Sequence, residues 1–259
     1  MREIHINTID GTARPVVAIA KQYPTGHYIE PHDHRRGQFM TTSRGVILLT
    51  TMDGAWLMPP ERGMWIPPAT VHNVRMIGAV EMRSLYIEAD ATPKMSPTCQ
   101  VVGLSPFMRT LMTEAIDCPL EYDTDGRDGA LMRLVLHELS GMKELPLSLP
   151  YPSHGALAAR CQAFIAAPSI GETINDWCES LGMSRRTFTR LFRSQTGLSF
   201  VAWRQQACLM SAMTKLVAGA SVTSVSGELG YDNPAAFTTM FRRSFGAPPL
   251  RYLGLRSET

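Results

Sequence analysis

The chain has 259 residues, 44% of them hydrophobic and 19% charged, which is enough for two modest domains that each bury a core. Its five cysteines (Cys99, Cys118, Cys161, Cys178, Cys208) form no CxxC pair, and no run approaches the ~18 apolar residues of a membrane span, so a disulfide scaffold and a membrane protein are both excluded. The net charge of +2 is divided: residues 153–259 carry 11 Lys and Arg against 6 Asp and Glu, whereas residues 1–152 carry 14 against 17.

The start, Met1-Arg2-Glu3-Ile4-His5, lacks the apolar stretch of a signal peptide, so a cytoplasmic location is expected. From residue 16 to about residue 89, short apolar runs predict strands at 16–20, 38–42, 46–50, 55–58, 63–66 and 81–87. Each is bounded by Gly, Pro or Asp, and Met52-Asp53-Gly54 reads as a hairpin turn. The spacing argues for an all-β sandwich or barrel.

His32 and His34 are two residues apart, so on a strand both face one side. A later strand pair that brought His72 opposite would complete three imidazoles around a divalent metal ion, with the Gln38 amide oxygen as a weak fourth ligand. The other reading is a metal-free pocket in which these groups hydrogen-bond a small organic effector or one another. Met40, Trp56, Trp65 and Tyr86, with Met58, would line such a pocket if they face inward, and each would otherwise fill core. Arg35-Arg36 reads as a site for an acidic effector or as a solvated turn.

Gly26-x5-His32-x-His34-x3-Gln38-x6-Gly45 and Pro67-Pro68-Ala69-Thr70-Val71-His72 resemble the two motifs of the cupin superfamily. Gln38 stands where that family usually has Glu, and Ala69 where it usually has Gly. Gln carries no charge and so neutralises none of a metal's. The resemblance implies a jelly roll and an effector-sensing domain over residues 1–90.

Residues 88–104 hold several prolines and read as a connector at a domain edge. Two helices follow. One runs over 106–117 with Ser105 as cap and Pro106 at its first position; the other runs over 129–143 with Leu131, Leu134, Val135 and Leu139 on one stripe. They suit a dimer interface or packing on their own domain. Three prolines within 145–152 predict an extended linker, so residues 91–150 connect the two domains, and a helix over 153–167 opens the last one, 151–259.

That last segment reads as two helix-turn-helix units. In the first, a helix over 173–181 and a Gly182-Met183 turn lead to a second helix capped by Ser184. Phe188, Leu191 and Phe192 make its apolar stripe. Arg185, Arg186, Thr189, Arg190 and Arg193 occupy the other side, a composition suited to phosphates and guanine edges. The pattern recurs: a helix capped by Ser221, a turn at Gly230-Tyr231-Asp232, then a helix begun by Asn233-Pro234 with Phe237 and Phe241 inward. Between the units, residues 199–218 predict one helix of about 20 residues, hence ~30 Å. That approaches the ~34 Å separating successive major grooves on one face of DNA.

Leu181-Gly182-Met183-Ser184-Arg185-Arg186, Gly197-Leu198-Ser199-Phe200, Leu229-Gly230-Tyr231-Asp232-Asn233, Ala236-Phe237 and 241–249 together resemble the DNA-binding domain of AraC-type transcription regulators over about 100 residues. The whole is therefore expected to be α+β: an N-terminal cupin-like β jelly roll followed by an all-α domain with two helix-turn-helix units. The resemblance implies a non-enzymatic, sequence-specific regulator controlled by a small-molecule or metal effector. Its implied partners are double-stranded promoter or operator DNA, the effector, a second copy of the chain as a homodimer, and RNA polymerase, with no membrane. Its pattern places base contacts on Arg186, Thr189 and Arg190, and in the second unit on Pro234, Ala235, Thr238 and Thr239; these last are short and uncharged, so Arg242 and Arg243 are expected to grip phosphates, and Asn233 counts among the DNA-contacting residues. The rival reading is a metal-dependent cupin enzyme, a dioxygenase or isomerase working on His32, His34 and His72.

Overall fold

The computed structural model describes residues 11–91 and 94–255, so the reading of Met1–His5 lies outside the described residues. They form two compact units. One comprises the described residues up to Thr51 together with Trp56–Pro146; the other comprises Met52–Ala55 and the described residues from Leu147 onward.

The first unit is an antiparallel, jelly-roll-like sandwich. One sheet carries β1 (Val16–Tyr23), β8 (Val80–Ile87), β3 (Gly37–Thr42), β6 (Arg62–Ile66) and β9 (Gln100–Gly103) in that order. In the other, β5 (Gly54–Met58, of which Trp56–Met58 belong to this unit), β4 (Val46–Thr50), β7 (His72–Ile77) and β2 (Tyr28–His32) are neighbours. Side-chain alternation gives the first sheet two distinct faces. On one, Phe39 lies opposite both Leu85 and Trp65, and Val16 opposite Ile87. These residues share a core with Met108, Leu111, Met112 and Ala115 of α1 (Pro106–Asp117) and with Met132, Val135 and Leu139 of α2 (Arg127–Leu139). Gly37 and Gly63 leave room for the rings: a Cβ would fall 2.2 Å from Trp65 at the first and 2.3 Å from Phe39 at the second. On the other face, Gln38 and Val17 lie opposite Tyr86, and Met40 and Ile19 opposite Ser84.

One expectation about organisation changes here. No domain edge falls near residue 90, because Gln100–Gly103 is a sheet strand in register with β6 and α1 and α2 bury their stripes on the sheet behind it. The extended linker expected at 145–152 does hold the division between the units, which falls after Pro146. Leu147 and Leu149 are buried, Ser148–Pro150 forms a short strand (β10), and the Trp203 indole N–H donates to the Pro150 carbonyl at 2.9 Å.

The second unit is helical: α3 (Gly155–Ala166), α4 (Ile174–Ser180), α5 (Arg185–Thr196), α6 (Phe200–Val217), α7 (Val222–Glu228), α8 (Pro234–Phe245) and α9 (Pro249–Tyr252). Local chemistry sets nearly every boundary. Thr173 and Ser221 cap α4 and α7, and Ser184 and Asn233 cap α5 and α8. Gly197 and Gly246 end α5 and α8 in the left-handed region, which glycine enters without a Cβ penalty. The turns also match: Met183 N–H donates to Cys178 O and Tyr231 N–H to Ser226 O, both at 2.9 Å. So the unit is one helix-turn-helix module made twice.

Two aromatic clusters hold the copies. In the first, Trp177 of α4 packs against Phe164, Phe188, Phe192, Phe200 and Trp203. In the second, Phe237 and Phe241 of α8 meet Tyr231, Phe245 and Tyr252. Between them α6 runs unbroken for 18 residues, capped by Ser199. At 1.5 Å per residue it is a rod of ~27 Å.

Candidate functional site

The helical unit presents α5 with its two faces cleanly separated. Phe188 and Phe192 are buried, whereas Arg185, Arg186, Thr189, Arg190 and Arg193 are all exposed. The second copy repeats the geometry with different chemistry. On α8, Phe237 and Phe241 point inward while Ala235, Thr239, Arg242 and Arg243 are exposed and Thr238 half-buried. Asn233 is also exposed, but its side-chain oxygen is committed to capping α8, accepting from Ala236 N–H at 2.8 Å. Among the described residues none of these arginines is paired with a carboxylate. An arginine face kept free of internal ion pairs is what phosphate neutralisation requires. One residue missed in the sequence joins the second surface: Gln205 of the rod lines a groove with Asn233, Ala235, Thr239 and Arg243. Nothing in its own stretch marks it, because it reaches the groove only through the packing of α6 beside α8.

In the sandwich the three histidines converge. His32 ends β2 and lies directly opposite His72, the first residue of β7. His34 follows in the loop before β3, so it joins by a bend rather than by sharing a strand face with His32. The ring centroids are 4.4 Å apart for His32–His72, 4.8 Å for His32–His34 and 5.3 Å for His34–His72. One nitrogen and one proton position are fixed in two of the rings. His32 Nδ1 lies 2.7 Å from Glu30 O and His72 Nδ1 2.7 Å from Thr70 O, so in each ring Nδ1 carries a proton and Nε2 is the atom left to act as a ligand. Burial, reinforced by neighbouring imidazoles, pushes His34 down to about 4; burial likewise takes His72 to about 4. Both rings are therefore neutral at neutral pH.

The backbone holds these segments together under strain. Ala69 sits at φ +56°, the left-handed region that costs a side-chain-bearing residue about 1 kcal/mol or more. Its N–H donates to His34 O at 2.8 Å, tying the His72 approach to the His34 loop. Gln38 faces the same space from β3. Its amide nitrogen donates to Ser84 Oγ at 3.1 Å and Tyr86 Oη at 3.2 Å, leaving the oxygen toward His34.

The expected effector lining divides. Met40 and Tyr86 share the Gln38 face, and the Tyr86 ring lies 5.2 Å from His34. Trp65 does not: strand parity puts it on the helix-covered face, where its indole N–H donates to Ser96 O at 2.8 Å. Trp56 is buried on β5, in the other sheet, with its indole nitrogen without a hydrogen-bond partner. Both readings of Arg36 also give way. Its side chain is fully buried, donating to Arg14 O and Thr12 O at 2.7 Å each and pairing with Glu88 at 2.8 Å. Arg35 holds the same carboxylate from outside at 2.6 Å. This is a structural clasp rather than an effector site or a solvated turn. Three of the cysteines are equally quiet, since burial pushes Cys118 up to about 11 and Cys161 and Cys208 to about 12, away from the thiolate.

Comparison with known proteins agrees with both halves. Residues 177–254 match a helix-turn-helix domain and residues 14–99 an AraC-like ligand binding domain. The HTH-type transcriptional regulator NimR of Escherichia coli (strain K12) is 32% identical over 222 residues, spanning 86% of this chain and 81% of that protein. The chain belongs to the AraC-type transcription regulators. A second relative along most of the length is the uncharacterized HTH-type transcriptional regulator YobQ of Bacillus subtilis (strain 168), 27% identical over 85% of this chain and 87% of its own. The solved structure of ToxT from Vibrio cholerae aligns over 94% of the chain, but at 7% identity and a TM-score of 0.40 it is too distant to argue from. As an AraC-type regulator the chain is not an enzyme, which removes the dioxygenase and isomerase reading of the histidines. No helix among the described residues is long and apolar enough to cross a membrane.

Proposed function

We propose that this chain is a cytoplasmic, homodimeric regulator that reads promoter DNA through α5 and α8, under the control of an effector held inside the sandwich. One observation carries the reading: an unpaired arginine face on α5, repeated in geometry by α8 at the far side of a continuous ~27 Å rod. Two such helices fit successive major grooves.

The two copies divide the work. Arg186, Thr189 and Arg190 take base edges, with Arg190 or Arg186 forming the bidentate pair to a guanine. The matching positions of α8, Pro234, Ala235, Thr238 and Thr239, are short and uncharged. They supply methyl contacts while Arg242 and Arg243 hold phosphates. Most base discrimination then lies in the half-site under α5. Arg190→Ala is expected to cost about 1–3 kcal/mol on the preferred sequence and to relax preference at one base pair. Arg243→Ala should weaken specific and random DNA alike and lower the salt slope by about one unit. Fluorescence anisotropy on selected and scrambled duplexes measures both. Equal losses on the two duplexes for Arg190→Ala would remove its base-reading role.

For the second copy, α1 and α2 bury one face on their own sheet yet leave Phe107 and Leu134 exposed. Those are the residues a homodimer would cover, and light scattering of the wild type against Phe107→Ser reports it.

A further inference from the structure

We propose that His32, His34 and His72 bind one divalent late transition-metal ion, of the Zn²⁺, Ni²⁺ or Co²⁺ class, inside the first unit. This deepens the reading above by naming the effector chemistry, and rests on it only for any link to DNA. Four observations carry the site.

The first is an unmet demand for a partner. His72 Nε2 and the His34 ring are buried, and the Gln38 amide oxygen, turned toward His34, is too far for a well-formed hydrogen bond to either ring nitrogen. Each orphaned polar atom costs about 1–3 kcal/mol, and since each neutral ring has one lone pair, the cluster calls for a group that accepts one from each. The second is orientation. Backbone carbonyls of Glu30 and Thr70 fix the Nδ1 protons of His32 and His72, as outer partners do for metal-ligating histidines. The third is proximity. The three ligand atoms lie within 4.8 Å of one another, while a closed tetrahedral site would set them ~3.3 Å apart, so small ring rotations complete it. The fourth is the strained Ala69 turn, whose N–H bond to His34 O fixes the approach of the two segments.

The donor set selects the ion. Among the described residues no carboxylate or thiolate joins the cluster. Three neutral imidazoles suit borderline metals such as Zn²⁺, Ni²⁺ and Co²⁺, and discriminate against Ca²⁺ and Mg²⁺, which want oxygen. Because the donors are uncharged, the bound ion keeps its full +2. Gln38 and Tyr86 lie beside His34, and water or an anion would complete the shell. Such a centre holds its metal less tightly than one with a carboxylate, which suits an exchangeable signal.

The test uses full-length protein purified without a histidine tag, stripped with chelator, and titrated separately with Zn²⁺, Co²⁺ and Mg²⁺. Calorimetry should show one Zn²⁺ or Co²⁺ per chain and no Mg²⁺, and Co²⁺ should give visible d–d absorption. His32 is only partly buried, so His32→Ala should fold normally and bind at least tenfold more weakly; His27→Ala, at an exposed position, should bind as wild type does. Gln38→Glu should tighten Zn²⁺ about tenfold or more by supplying the missing charge. Absence of stoichiometric binding in folded wild type, or binding that His32→Ala and His72→Asn leave unchanged, overturns the site. Neither result touches the regulator reading, which the anisotropy of metal-free wild type on promoter DNA decides separately.

Discussion

Trp177→Ala is expected to remove about 3–5 kcal/mol from the stability of the helical unit and, with it, most DNA binding. The ring is fully buried and touches an aromatic residue from each of α3, α5 and α6. It also has a polar role. Its indole N–H donates to Glu172 at 2.6 Å, Arg160 pairs with that carboxylate at 2.6 Å, and the Arg160 guanidinium lies 4.6 Å over the indole. Truncation therefore opens a cavity and leaves Glu172 short of a donor. Total stabilities are only about 5–15 kcal/mol, so such a loss unfolds a large fraction of the unit at 37 °C. Trp177→Phe keeps a ring but loses the donor, and should cost about 1–2 kcal/mol. Urea unfolding followed by far-ultraviolet circular dichroism reads both. A cost under about 1 kcal/mol for the alanine variant would mean that Phe164, Phe188 and Phe200 close over the gap and that Trp177 is not the anchor of the first reading helix.

The helical unit was legible because its signals are local. Ser184, Ser199, Ser221 and Asn233 each sit one residue before a helix they cap, and Phe188 with Phe192 or Phe237 with Phe241 mark a face within a single turn. The sandwich was half legible. β2 escaped because Pro31 interrupts its run, and β9 because Gln100–Gly103 is short and lies in a segment whose prolines suggest a loop. His72–Ile77 does alternate, with His72, Val74 and Met76 buried between less buried neighbours, and that signal could have been read. What no local pattern holds is which strand lies beside which. The face of Trp65 depends on register with Phe39, and the role of Arg36 on Glu88, which is 52 positions away (88 − 36). The same holds for α1 and α2: their stripes are visible in sequence, but not that a sheet lies beneath them.

Glu88→Gln is the second large effect expected, at about 1–3 kcal/mol in the sandwich unit. Removing one member of a fully buried ion pair costs about 3–5 kcal/mol, because the other charge is left stranded. Here the Arg36 side chain is 0% exposed, but Glu88 is 24% exposed and Arg36 retains the carbonyls of Arg14 and Thr12, so the cost falls below that range. The pH dependence separates charge from shape. The hydrogen bond from Arg35 chiefly, aided by the charge of Arg36 and opposed by burial, holds the Glu88 carboxyl below its ordinary 4.5. A carboxylate depressed by folding stabilises the native state fully above its unfolded pKa and loses that contribution as pH falls through the folded one. The gap between wild type and Glu88→Gln should thus be constant from pH 8 to about pH 5, then shrink with further acidification as Glu88 takes up its proton. Arg35→Ala, at an exposed position, should open a smaller gap over the same window, roughly 0–1 kcal/mol. Thermal melts of the three proteins across pH decide it: a gap that persists undiminished to pH 3 would place the effect in packing around Arg36 rather than in the charge of Glu88.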